Sequence, residues 1–180
     1  PVVISHHKVV GKANFGRTRE TLDLIDQAAK QQPVAIDVYP YIASSTVLNS
    51  DWFGRASKIL ITWSKARPEF NGRDLADIAR EMKLSLVDTA AKLQPAGAIY
   101  FSMDEDDVRR VMTWPGAMIG SDGLPHDIHP HPRLWGTFPR VLGHYCRELK
   151  LFSLEEAVRR MTALTAERFG LKHRGILREG

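Results

Sequence analysis

Within its first forty residues the chain writes out strand, helix, strand, and that order confines it to an α/β architecture. Val2–Ser5 is a short apolar, β-branched run of the kind that makes a buried strand. Residues 18–30 follow with Leu22, Ile25, Ala28 and Ala29 at helical spacing, and Thr18 is placed to cap the start. Pro33 ends that helix. Val34–Tyr39 is a second buried strand, and Pro40 stops further ladder pairing. Such a unit is normally parallel with a right-handed crossover. A third apolar strand is expected at Ala117–Gly120, with helices over Arg133–Leu149 and Ser153–Met161 and a short one over Thr165–Gly170. Three parallel strands cannot close a barrel, which needs about eight. The chain therefore reads either as a small open α/β sheet or as the C-terminal portion of a (β/α)8 TIM barrel, and the chemistry at its strand ends favours the barrel.

Between the second and third strands lies a long excursion, residues 49–115. Helices are expected over Gly72–Met82, Leu86–Leu93 and Asp104–Thr113, with an apolar patch at Ala96–Phe101. Ser85 with Asp88, and later Ser153 with Glu156, resemble capping boxes. An insertion of this length between barrel-type strands is usually a substrate cover. Its aromatic content, Trp52, Phe53, Trp63, Phe70, Tyr100 and Phe101, argues that it packs as a lid-like unit. The rest of the composition narrows the class. At 180 residues one domain is the prior, 43% hydrophobic and 26% charged residues are ordinary for a globular protein, and no run nears a membrane span of about 18 apolar residues. A net charge of +4 is scattered rather than striped, which argues against nucleic acid as a partner. The single cysteine, Cys146, excludes an intrachain disulfide framework and favours a reducing, cytoplasmic compartment. Pro1 leads straight into the first strand with no secretory signal pattern, and a start without Met places the expected natural N-terminus upstream or removed.

Three places carry candidate chemistry. Asp122 stands just beyond the third strand, flanked by Gly120 and Gly123, where α/β enzymes keep a general base; a turn-capping aspartate is the competing reading. His6 and His7 close the first strand, and neutral imidazole there suits catalytic zinc. Neighbours on a strand face opposite ways, so only one of the pair can serve a given centre, and taken alone the pair reads more readily as one packed and one surface histidine. Lys8 shares the periodicity of His6. Tyr39, with Ser44, Ser45 and Thr46 close behind it, could polarise a carbonyl or hold a carboxylate; a strand aromatic and an ordinary turn is the competing reading. Arg133 opens a helix beside Asp122 and suits bidentate recognition of a carboxylate. His126, His129 and His131 fit no closed zinc spacing and read as a rigid, proline-stiffened polar loop.

Taken together and in order, these segments resemble a known family. Ile4–Lys8, Asp37–Tyr41 with Ser45 and Thr46, Leu60–Trp63, Pro95–Tyr100, Ile119–His126, His131–Arg140 and Met161–Thr165 are similar to the D-aminoacylases, the N-acyl-D-amino-acid deacylases of the amidohydrolase superfamily. The resemblance implies a distorted (β/α)8 barrel whose strands six, seven and eight are the three strands here. It implies His6 as a Zn2+ ligand, Asp122 as the catalytic aspartate, and Lys8, Tyr39, Ser45 and Arg133 as substrate-binding residues. The family's other zinc ligands have no counterpart in this chain, so they are expected upstream and the isolated chain is expected to be inactive. The expected substrate is a small N-acyl-D-amino acid, hydrolysed by zinc-activated water. The alternatives are a cyclic amidohydrolase of the hydantoinase or dihydroorotase type, and an inactive fragment that self-associates.

Overall fold

The computed structural model describes residues 2–179. Three strands, β1 (Val2–Ile4), β2 (Val34–Val38) and β6 (Ala117–Ile119), form a parallel sheet in the order β1-β2-β6. Val3 pairs with Ala35, and Asp37 with Met118. Helix α1 (Thr18–Ala29) joins the first two strands. Helix α4 (Glu105–Thr113) packs on α1, β2 and β6. Val108, Val111 and Met112 share one core with Leu22, Ile25, Ile36, Ala117 and Tyr145. Each fully buried aliphatic side chain of such a core contributes about 1.5–3 kcal/mol.

The start of α1 differs from expectation. The Thr18 hydroxyl does not cap its own helix; it donates to the Asp107 carboxylate on α4. Asp107 also accepts the backbone N–H groups of Gly16 at 2.6 Å and Thr18 at 3.3 Å, and the Arg110 guanidinium at 2.6 Å. A buried carboxylate with four donors outcompetes a local cap, and it ties α1 to α4.

A second, antiparallel sheet lies between β2 and α4. It comprises β3 (Ala43–Val47), β4 (Lys58–Ser64) and β5 (Ala96–Phe101) in the order β3-β5-β4. Helices α2 (Leu75–Met82) and α3 (Leu86–Leu93) cover one face through Ile61, Leu75, Ile78 and Leu93, all essentially fully buried. Residues 49–115 thus divide. The excursion sheet begins earlier, at Ala43, while α4 near the far end belongs to the parallel-sheet core. Ser44–Thr46, expected as a turn, is strand, with Ser45 opposite Ile99. A polar Ser-Ser-Thr run hides the period-two pattern of a strand whose hydroxyl side chains line a cavity.

Helix α5 (Arg133–Arg140) runs on into a π-helical turn, Val141–Glu148, in place of one α-helix to Leu149. Pro139 sits inside α5 and can donate no backbone hydrogen bond, which favours the wider winding that follows. Helix α6 (Leu154–Met161) starts at the expected Ser153 cap, with Glu156 N–H to Ser153 Oγ at 3.2 Å, and α7 (Ala163–Arg168) follows. From α6, Arg160 reaches under β6 and donates to the carbonyls of Met112, Trp114 and Ala117 at 2.7–3.1 Å.

Candidate active site

A cavity of about 650 Å³ opens beside the C-terminal ends of the parallel strands and under the antiparallel sheet. All six residues singled out from the sequence line it: His6, Lys8, Tyr39, Ser45, Asp122 and Arg133. They come from four separate stretches of chain, and the two sheets bring them together.

His6 follows β1 in a left-handed conformation, φ 45°. That geometry is costly for a residue with a Cβ and persists only where neighbours enforce it. Three bonds do so here. The His6 N–H donates to Asp37 Oδ1 at 2.8 Å, Lys8 Nζ donates to the His6 carbonyl at 2.6 Å, and Lys8 Nζ meets His6 Nδ1 at 2.7 Å. Asp37 escaped the sequence reading. Its signal was a lone carboxylate inside the apolar run Val34–Val38. The same carboxylate explains Gly120: a Cβ there would stand 3.0 Å from Asp37 Oδ1. His7 also lines the cavity but turns its Nε2 to Thr21 Oγ1 on α1, 2.9 Å away.

Asp122 lies beyond β6, also left-handed at φ 49°, with its side chain 35% exposed to the cavity. Arg133 Nη1 stands 2.9 Å from Asp122 Oδ2, while the guanidinium is 2% exposed. The approach is an ion pair without hydrogen-bond alignment: Nε and Nη1 of Arg133 are buried without a hydrogen-bond partner among the described residues. Only Nη2 is bonded, to the Ser45 carbonyl at 3.0 Å. Nη1 thus has the Asp122 charge but no aligned acceptor, Nε has neither, and buried donors are expensive to leave unbonded. Gly123 lets α5 come this close, since a Cβ there would fall 2.7 Å from Leu134 Cδ1.

Tyr39 is buried between the cations, its ring 4.7 Å from the Arg133 guanidinium carbon and 5.3 Å from Lys8 Nζ. Its hydroxyl has no hydrogen-bond partner among the described residues. Burial raises its pKa well above the usual phenol range, so the group is a neutral O–H donor. Burial likewise lowers Lys8 to about 8, with Asp122 and Asp37 opposing the drop and Arg133 adding to it. Ser45 Oγ lies 3.4 Å from Asp127 Oδ2, so its hydroxyl is only loosely engaged.

The histidine-rich loop behaves as a strap. His129 N–H donates to the carbonyl of Thr62, the bulged residue of β4, at 3.0 Å, and Ser45 and Arg133 connect the same loop region to β3. Among the described residues no three His, Cys, Asp or Glu side chains gather as metal ligands. A catalytic zinc site needs about three protein ligands. The chain does not fit a complete zinc site; His6 offers it a single imidazole.

A carboxylate, a guanidinium, a neutral phenol and an imidazole thus surround one cavity at the parallel strand ends. Residues 65–180 match the amidohydrolase family, and the chain belongs to it. It is 61% identical over all 180 residues to the D-aminoacylase of Alcaligenes xylosoxydans xylosoxydans, covering 37% of that protein. It is 52% identical over 179 residues, 99% of this chain, to the N-acyl-D-aspartate deacylase of the same organism, covering 36% of it. The crystal structure of N-acyl-D-glutamate deacylase from Bordetella bronchiseptica, complexed with zinc and a phosphonate inhibitor that mimics the tetrahedral intermediate, superposes with a TM-score of 0.96 at 52% identity, over 99% of this chain and 38% of that one. The chain thus spans a little over a third of the length of the relatives it matches.

Proposed function

We propose that this chain supplies the substrate-facing side of a zinc-dependent N-acyl-D-amino-acid deacylase, with β1, β2 and β6 as strands six, seven and eight of a (β/α)8 barrel and the antiparallel sheet as its cover. The observation that carries the reading is the buried Arg133, whose Nε and Nη1 have no aligned hydrogen-bond acceptor among the described residues and whose Nη1 stands 2.9 Å from Asp122. A buried guanidinium with N–H groups lacking an acceptor is matched by the negative charge of an acyl amino acid's carboxylate. A hydantoin ring has no such group; dihydroorotate does, and against it the likeness to deacylases of N-acyl-D-amino acids favours a linear substrate.

In this reading Arg133, Lys8 and the Ser45 hydroxyl hold the α-carboxylate and so fix the configuration at the neighbouring carbon. The Asp122 carboxylate takes a proton from the attacking water and delivers it to the departing amide nitrogen, as base and then acid. The Tyr39 O–H donates to the oxyanion formed on the acyl carbon. A zinc ion, for which His6 would be one ligand and the rest of the enzyme the others, supplies Lewis acidity when bound. Val10, Trp52 and Leu124 line the same cavity and favour an apolar side chain.

Asp122→Asn in the full-length enzyme tests the assignment. Turnover of N-acetyl-D-methionine should fall about 10³-fold while zinc content and circular dichroism hold. Near-normal hydrolysis would refute it. A second reading, self-association of the isolated chain, is favoured by β1: it is an edge strand, and Val2 and Val3 are 43% and 37% exposed.

A further inference from the structure

Arg133 is held from behind by a side chain absent from the cavity lining. His131 is 4% exposed, and its Nδ1 accepts the backbone N–H of Arg133 at 2.9 Å. That N–H opens α5 and is one of the orphan donors every helix start must satisfy; the residue before it, Pro132, makes no side-chain cap. The imidazole acts as the cap instead. An accepting Nδ1 leaves the ring proton of the neutral imidazole on Nε2. The ring of Tyr41 packs edge-on against the imidazole at 5.1 Å, and the Tyr41 hydroxyl donates to the Pro132 carbonyl at 3.4 Å. Burial and Arg133 lower the His131 pKa to about 4, so the ring stays the neutral acceptor this arrangement requires.

We propose that His131 is a positioning residue: by capping the start of α5 through the Arg133 N–H, it fixes the Arg133 guanidinium beside Asp122 at the cavity, where it can meet a substrate carboxylate. The proposal rests on the deacylase reading above. His131 touches no reacting atom; it acts through Arg133.

Steady-state kinetics of the full-length enzyme on N-acetyl-D-leucine and on its uncharged carboxamide separate this from general packing. His131→Ala should raise KM for the acid about tenfold, the value of one hydrogen bond to a charged group, with kcat within about threefold and the carboxamide KM within about twofold. His131→Asn can accept the Arg133 N–H through Oδ1, as asparagine caps do, and should restore most of the acid KM. His131→Gln carries the same amide one methylene further out, outside the N-cap preference, and should restore little. If the alanine variant does not fold, the Asn and Gln variants carry the comparison, and equal acid KM values for them would overturn the proposal. So would acid and carboxamide kinetics that change in parallel. A wild-type enzyme that does not distinguish acid from carboxamide would instead remove the carboxylate role of Arg133. That outcome precedes any substitution, and the role of His131 would fall with it.

Discussion

At the scale of single residues, the site mixes groups that the sequence announces with groups that only three dimensions reveal. The positions of Asp122 and Arg133 at the cavity were legible because a carboxylate beyond an apolar strand, and an arginine at a helix start, stand out in local context. Asp37 and His131 were not, because each serves a backbone N–H and the pairing depends on where the chain turns. Tyr39→Phe should lower kcat about 10–100-fold with little change in KM, since the phenol's O–H has no other partner to lose; steady-state kinetics of the full-length enzyme checks this. His131 makes a pH prediction. Its folded value near 4 lies below its unfolded value, so the unfolded chain takes up the proton first. Stability is therefore full above about pH 6.5 and falls as pH drops toward about 4, by up to about 3 kcal/mol from this one group. Urea unfolding at pH 7 and pH 4.5 should show a shallower acid loss in His131→Asn than in wild type. His7, lowered chiefly by burial, contributes in the same direction in both proteins.

At the scale of elements, periodicity revealed the parallel strands and most helices, and the Ser85 and Ser153 caps fell where the sequence placed them. What stayed hidden was β3 and β4. The first is polar where it faces the cavity, and the second carries a bulge at Thr62 that breaks its alternation. Two substitutions probe how elements hold each other. Asp107→Ala removes the shared acceptor of Gly16, Thr18 and Arg110, and should cost about 3 kcal/mol in chemical denaturation. Gly123→Ala forces a Cβ against Leu134, whose Cα would be 3.0 Å away, so α5 must shift. The expected cost is about 1–3 kcal/mol, together with a raised KM for acid substrates because Arg133 moves with the helix.

At the scale of the molecule, two cores stand side by side, one under the parallel sheet and one inside the antiparallel excursion. The resemblance read from the sequence anticipated the family; it could not tell where the excursion begins, because the chain leaves β2 through only four residues before β3 starts. The isolated 180 residues should bind zinc poorly and self-associate through the β1 edge, which metal analysis and sedimentation velocity would register. The contact between Arg133 Nη2 and the Ser45 carbonyl has a consequence for ligand binding. It stitches the roof to the floor through the very guanidinium that would grip the guest. A substrate acid drawn to that guanidinium would therefore bear on both sheets at once, through α5 below and the Ser45 strand above.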